Sequence, residues 1–385
     1  MSWRETCPMN ERVRFITALL QHEWTMTELC EHFGVSRRTG YKWWHRYEKA
    51  GVEGLRDRSR ACRSHPNATR MLIQEKLVAL RHRRGWGPRK LLHYLSAREP
   101  DMAWPAPSTV GAILKRRGLV KRRRRSRRTA PYSQPFTHCD QPNAVWSADF
   151  KGEFRTGDGR LCYPLTIADS FSRYLLCCRG LSRPSGILAK PYFEAVFRQY
   201  GLPVAIRTDN GAPFASTALA GLSSLAVWWI KLGIRPERIA VGHPEQNGRH
   251  ERMHRTLKQE AIQPPKSTLR AQQRAFNRFR EEYNQERPHE SLGGKPPACY
   301  YRHSLQPYPR RLPQLEYPSG WLIRKVRHNG EIRWQGQRLY LSEVLAGEPV
   351  GLKPTDDLNW HIYFGPVPLG ILTETGTQVL PMCPV

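Results

Sequence analysis

Asn143-Ala144-Val145-Trp146-Ser147-Ala148-Asp149-Phe150 is the stretch on which the reading of the middle of this chain turns. Its apolar and polar positions alternate, which is the period of a strand with one buried face. Asp149 falls inside that strand, where an ionised carboxylate is expensive unless a cation meets it. Downstream, Arg155-Thr156-Gly157-Asp158-Gly159 has turn composition, and Leu161–Ala168 and Tyr174–Leu181 read as two further strands. Pro184–Tyr200 then has helical periodicity, Val204–Thr208 is a short strand, Ala218–Leu232 a helix, Arg235–Val241 a strand and Gln246–Ile262 a long helix. Three consecutive strands followed by alternating helices and strands predict an α/β core, a mixed sheet covered by helices.

Two more acids stand at the ends of these elements. Asp209 closes the fourth strand in Arg207-Thr208-Asp209-Asn210-Gly211, where Gly211 is read as permitting a sharp exit. Glu251 sits early in the long helix, after His243-Pro244-Glu245-Gln246-Asn247-Gly248. Three carboxylates on separate elements meet only through the fold. If they converge, they offer hard oxygen ligands for two Mg²⁺ ions, the arrangement suited to in-line displacement at phosphorus.

The chain has 385 residues, 62 Lys and Arg against 33 Asp and Glu, and a formal net charge of +29. With 39% hydrophobic residues there is ample core material, which argues against wholesale disorder. The surplus predicts a polyanionic partner, nucleic acid before membrane, since Ser224–Ile230 and the other apolar stretches are far too short to span a bilayer. A soluble, cytoplasmic protein is expected, and nine cysteines without a CxxC pair predict reduced thiols. Residues 1–130 hold 30 Lys and Arg against 11 Asp and Glu, so +19 of the charge lies in the first third.

That third reads as two all-α helix-turn-helix modules. Asn10–Gln21 and Thr27–Phe33 are helical, with Thr27 as cap; Gly34-Val35-Ser36 makes the turn, and Ser36 caps a basic helix Arg37–Tyr47. Arg37, Arg38, Thr39, Tyr41, Lys42 and Arg46 are its candidate DNA contacts. In the second module Gly87-Pro88 opens a helix through Arg98, and Ser108 caps Thr109–Arg117, presenting Arg116 and Arg117. Lys121–Arg128, with Arg122, Arg123 and Arg124, reads as an extended basic linker that meets phosphates.

The residues from about Pro142 to Tyr300 resemble the catalytic core of the retroviral integrase superfamily, and the whole chain resembles bacterial insertion-sequence transposases of the DDE type. The resemblance rests on Trp146-Ser147-Ala148-Asp149, Thr208-Asp209-Asn210-Gly211, Pro244-x-x-x-Gly248-x-x-Glu251 and Tyr283-Asn284-x-x-Arg287-Pro288-His289-x-x-Leu292. It implies an RNase H-like fold, an Asp, Asp, Glu triad falling on Asp149, Asp209 and Glu251, and two Mg²⁺ ions, with Mn²⁺ as a substitute. It also implies double-stranded DNA partners (element ends and target), a homo-oligomer assembled on DNA, and a place at the bacterial nucleoid. The interval of 42 positions from Asp209 to Glu251 exceeds the retroviral type. Glu245 is therefore a fallback, although Pro244 and Gly248 stand at the family's offsets before Glu251. Asp169 is a lesser rival, read as a turn cap.

His250-Glu251-Arg252-Met253-His254 also matches HExxH, a zinc-protease pattern. No histidine follows at the extended spacing, and a protease would not explain the basic modules, so the two histidines are read as DNA-facing or solvated. Arg255 and Lys258, four and seven positions after Glu251, are placed to reach flanking phosphates. The Tyr283–Leu292 signature follows a helix, Leu269–Tyr283, with no chemistry assigned to it. From Trp321 short strands predict a small β-barrel, beginning with a hairpin of Trp321–Arg327 and Glu331–Trp334 across His328-Asn329-Gly330. The expected domains are 1–62 and 66–120 (helix-turn-helix), 121–141 (linker), 142–300 (catalytic core) and 316–375 (β-barrel).

Overall fold

The computed structural model describes residues 7–59, 68–120, 139–216, 219–240, 243–355, 359–372 and 379–381. The chain forms two compact units, Met1–Arg70 and Met71–Val385.

The first unit holds α1 (Pro8–Leu20), α2 (Met26–His32) and α3 (Arg37–Ala50) around Phe15, Ile16, Leu29, Cys30 and Leu55. The cap of α2 is Thr25, not Thr27: its side chain and that of Glu28 each satisfy the other's backbone N–H, a reciprocal pair that Thr27 has no glutamate to complete. Ser36 caps α3 as expected. Gly40, inside α3, is required by space, since a Cβ there would stand 2.6 Å from Cys30 Sγ.

The second unit begins with α4 (Met71–Arg84), α5 (Pro88–Arg98) and α6 (Pro107–Arg116), packed on Leu77, Leu80, Leu91, Val110, Ile113 and Leu114. The helix α6 starts at Pro107 with Ala106 before it, so Ser108 lies inside the first turn instead of capping it. Proline suits that place because its missing N–H would have had no helical partner.

The central mixed sheet contains β1 (Val145–Phe150), β2 (Phe154–Arg155), β3 (Leu161–Asp169), β4 (Leu175–Leu181), β5 (Ala205–Thr208) and β6 (Arg235–Arg238). β1 pairs antiparallel with β3 and parallel with β5; β3 also takes β4 and β2, and β5 takes β6. One face is covered by α7 (Gly186–Tyr200) and α8 (Ser224–Lys231), through Phe193, Phe197, Trp228 and Trp229 against Trp146, Ala148 and Ile206. The other is covered by α9 (Gly248–Leu257), which runs on as a π turn through Ile262, and by α10 (Leu269–Gln285), through Met253, Leu257, Phe276 and Phe279.

Among the described residues the strands of the tail do not close into a barrel. β7 (Leu322–Lys325), β10 (Pro349–Pro354), β11 (Trp360–Phe364), β12 (Val367–Leu372) and β13 (Val379–Pro381) form an open sheet with β7 and β13 at its edges, while β8 (Glu331–Trp334) and β9 (Gln337–Tyr340) pair separately. The expected hairpin of β7 with β8 is replaced by β8 with β9. Gln335 and Gly336 both have positive φ, the two-residue geometry that matches strand twist, and β7 pairs with β10 instead. What fills the open sheet is α8 with Leu222 just before it: Leu222, Ala226, Val227 and Ile230 join Val350, Leu352, Ile362 and Phe364 in one core. Leu225 to Ile230 are all buried, which is why this helix is apolar around its whole circumference.

Candidate active site beneath helix α9

Register places the first two acids. Ser147 of β1 lies opposite Arg207 of β5 in a parallel pair, and two residues on from each, the charge of Asp209 acts on Asp149. Across the antiparallel pair, Thr166 of β3 faces Asp149. The opposite face of β1, with Trp146 and Ala148, enters the main core. Thus Ser147, Asp149 and Thr166 share the face that α9 covers.

Helix α9 meets that face with three side chains. Asn247, just before its first residue, donates from Nδ2 to Asp149 Oδ2 at 3.2 Å, and His254 Nδ1 stands 3.7 Å from the same oxygen. Glu251 lies between Asn247 and His254 on the helical stripe and is exposed. His250 and His254 are buried, at 3% and 5% exposure, contrary to the DNA-facing or solvated placement expected from sequence. Both Nε2 atoms lie 2.7 Å from Thr166 Oγ1, and His250 Nδ1 lies 2.7 Å from Ser147 Oγ. The alternation of β1 and β3 puts these hydroxyls under the helix, giving buried imidazoles the polar partners that solvent would otherwise supply. Burial keeps both rings neutral: that of His250 is pushed down to about 3, and that of His254 is also lowered, by burial first and His250 second.

Asp149 shows the opposite imbalance. Burial, then the neighbouring charge of Asp209, push its carboxyl up to about 7. Among the described residues no lysine or arginine forms an ion pair with Asp149 or Asp209. Asp209 Oδ1 accepts the Gly211 N–H at 3.2 Å, and a Cβ on Gly211 would sit 3.1 Å from Asp209 Oδ2. A Cβ there would crowd that carboxylate, and the φ of Gly211 is not positive, so the chain bends at 210–211 without a left-handed residue. Asp169, the rival acid, is 1% exposed and accepts from Asn143 N, Ser172 N and Ser172 Oγ, a turn cap. The side chain of Glu245 lies outside the described side chains.

A protein-family profile described as Integrase core domain matches residues 140–244, and a second with that description matches 232–297. Profiles described as Helix-turn-helix domain and Homeodomain-like domain match 11–61 and 39–114. An uncharacterized 31.7 kDa protein of insertion element IS407 from Burkholderia multivorans is 30% identical over 236 residues, 60% of this chain and 82% of the relative. The chain belongs to the insertion-element proteins with an integrase core.

An uncharacterized 39.2 kDa protein of insertion element IS476 from Xanthomonas euvesicatoria is 31% identical over 182 residues, 47% of this chain and about half (51%) of that relative. The magnesium-bound catalytic core domain of HTLV-2 integrase aligns at 18% identity and a TM-score of 0.34, over 42% of this chain and 99% of that one.

In this insertion-element protein the candidate DNA contacts of α3 lie at or near the surface. Arg37, Arg38, Tyr41 and Lys42 are exposed, and Thr39 and Arg46 are half-buried. Arg12, Lys42 and Arg46 gather on the Trp43 ring, at 3.9, 4.9 and 4.9 Å from its centroid. Arg116, Arg117, Arg255 and Lys258 are exposed, while Arg122, Arg123 and Arg124 lie outside the described residues. Among the described residues no helix is long and apolar enough to cross a membrane.

The Tyr283–Leu292 signature, silent in the sequence, is structural. Asn284 accepts from Leu175 N and donates to Leu175 O, at 2.8 and 2.9 Å, like an extra strand on β4. Arg287 pairs with Glu260 at the π turn, and the rings of Tyr283 and His289 lie 4.8 Å apart. Beside it Arg84 of α4 pairs with Glu282 (2.5 Å) and Glu286, Arg98 with Glu286 (3.4 Å) and Arg89 with Glu290, tying α4 and α5 to the end of α10. Only the bare charges were visible beforehand, since these partners stand about 200 residues apart.

Proposed function

We propose that the protein is a DNA transposase that binds the terminal inverted repeats of its element and catalyses metal-dependent 3′-end cleavage and strand transfer. The observation that carries this reading is the pair Asp149 and Asp209, near enough that the charge of Asp209 raises the Asp149 carboxyl, with no lysine or arginine ion-paired to either among the described residues, beside the helix that carries Glu251. Carboxylates so placed fit a divalent cation. Asp149, Asp209 and Glu251 would hold Mg²⁺, in two ions, with Mn²⁺ as a substitute; bound there, it would neutralise charge developing at a phosphodiester.

The chain's own groups divide the remaining work. Asn247 orients the Asp149 carboxylate. Arg255 and Lys258 hold phosphates beside the acids. Arg37, Arg38, Thr39, Tyr41, Lys42 and Arg46 on α3 read the element end in the major groove, and Arg116, Arg117, Arg122, Arg123 and Arg124 hold backbone phosphates around it. Water cleaves the phosphodiester at the element end and frees its 3′ hydroxyl. That hydroxyl attacks a target phosphorus, forming a new P–O bond as the target's P–O3′ bond breaks and leaves a target 3′ hydroxyl. An oligomer of the protein on DNA brings two ends to the target.

Incubating the protein with labelled element ends, Mg²⁺ and a target plasmid tests this. Joined products are expected. Hydrolysis without joining would replace the reading with a metal-dependent endonuclease, and specific binding with neither product would replace it with a DNA-binding regulator whose core is inactive.

A further inference from the structure

The histidine pair under α9 has one nitrogen that no hydrogen bond accounts for. Thr166 Oγ1 has one proton and lies within bonding distance of three groups: the Asp149 carbonyl at 3.1 Å and both imidazole Nε2 atoms at 2.7 Å. One arrangement has Thr166 donating to that carbonyl and accepting an Nε2–H from each ring. Ser147 Oγ, which also lies 3.3 Å from the Ala168 carbonyl, then donates to His250 Nδ1. In this arrangement Nδ1 is the nitrogen left to each ring. That of His250 is used by Ser147; that of His254 faces Asp149 Oδ2 across 3.7 Å, beyond hydrogen-bond range.

His254 is 5% exposed overall, and its Nδ1 and the Asp149 oxygen stand at a spacing that one shared ion could bridge. Two donor atoms each about 2.1 Å from one ion are roughly 3 Å apart at a right angle and about 4 Å apart when opposed. The observed 3.7 Å falls between these limits. Asp149, His250 and His254 also bring one ligand atom apiece within 4.8 Å of one another, but His250 is committed to two hydroxyls.

We propose that His254 Nδ1 is a nitrogen ligand to a divalent cation shared with Asp149 Oδ2, giving an otherwise all-oxygen site a preference for Mn²⁺ or Co²⁺ over Mg²⁺. Imidazole binds these ions better than it binds Mg²⁺, which strongly favours oxygen. The inference deepens the transposase reading and rests on it for Asp149 as a ligand.

The test is pulsed electron paramagnetic resonance on the full chain loaded with Mn²⁺, together with calorimetric titration of Mn²⁺ and Mg²⁺. Wild-type protein should show a ¹⁴N hyperfine coupling that becomes a ¹⁵N pattern when its histidines are ¹⁵N-labelled, a measurement that needs no variant to fold. His254→Asn should abolish the coupling and weaken Mn²⁺ at least about tenfold while moving Mg²⁺ by less than about threefold. Mn²⁺ bound in an Asp149-dependent way without nitrogen coupling would overturn the inference and leave the metal site standing. Coupling that survives in His254→Asn but vanishes in His250→Asn would overturn it in favour of the other ring. Binding of neither ion, or binding unchanged in Asp149→Asn, would overturn the metal reading of the site itself.

Discussion

Two groups of acids in this basic chain are held in opposite ways. At the end of α10, Glu282, Glu286 and Glu290 each face an arginine from α4 or α5. At the tips of β1 and β5, the charge of Asp209 acts on Asp149, with no arginine or lysine paired to either among the described residues. A protein with a charge of +29 has cations to spare, so two carboxylates left without one are placed against their own electrostatic interest. The paired acids hold a helical module in place. The unpaired ones are those proposed to hold an ion, and burial with their mutual charge raises the Asp149 carboxyl to about 7.

The sharpest way to break this contrast is Asp149→Asn. Cleavage and joining of labelled ends should fall by on the order of 10³-fold while end-specific binding in a gel-shift assay survives. Loss of both together would assign Asp149 to the fold instead. The next effect is on stability with the cation removed by EDTA. Between pH about 4 and about 7 the folded chain keeps a proton on Asp149 that the unfolded chain has released, so stability should fall as pH rises through this window and then level off. The drop is of the order of a few kcal/mol, and Asp149→Asn should flatten it in denaturant titrations at several pH values. A curve of the same shape in both proteins would remove Asp149 as its source.

The paired acids should respond the other way. Arg84 is only 14% exposed between two glutamates, and Arg84→Ala should cost about 2 kcal/mol in a urea midpoint while leaving affinity for divalent ions unchanged. Gly211→Ala should act on the unpaired group alone: crowding of Asp209 weakens divalent binding severalfold by calorimetry, with little change in melting temperature. The smallest effect belongs to Arg89→Ala. Its pair with Glu290 is about 70–76% exposed and should contribute less than about 0.5 kcal/mol, so a larger loss would show that exposure is a poor guide at this interface.

Much of the core was legible because strands and amphipathic helices announce themselves by period. β1 and β3 to β5 appear within a residue or two of their expected bounds, as do α5 and α7. Where local chemistry offered two choices, the reading failed: Thr25 has a glutamate three residues on and Thr27 has none, and the turn at Gln335-Gly336 outcompetes the one at Asn329-Gly330. Among the described residues the expected small β-barrel is seen only as open sheets, for a longer-range reason. The open sheet buries its inner face against α8, which no pattern within the tail itself reveals.

By itself, the sequence determined which residues carry charge, which segments alternate or wind, and that Asp149 lies within a strand and Asp209 at the end of one. Those properties are local, set by side-chain type and by a spacing of a few residues. Tertiary structure alone decided that the charge of Asp209 acts on Asp149, that His250 and His254 turn inward onto Thr166, and that Arg84 answers Glu282 and Glu286. Each of these needs strands or helices far apart in the chain to be brought into register, and only packing of the whole core fixes that register.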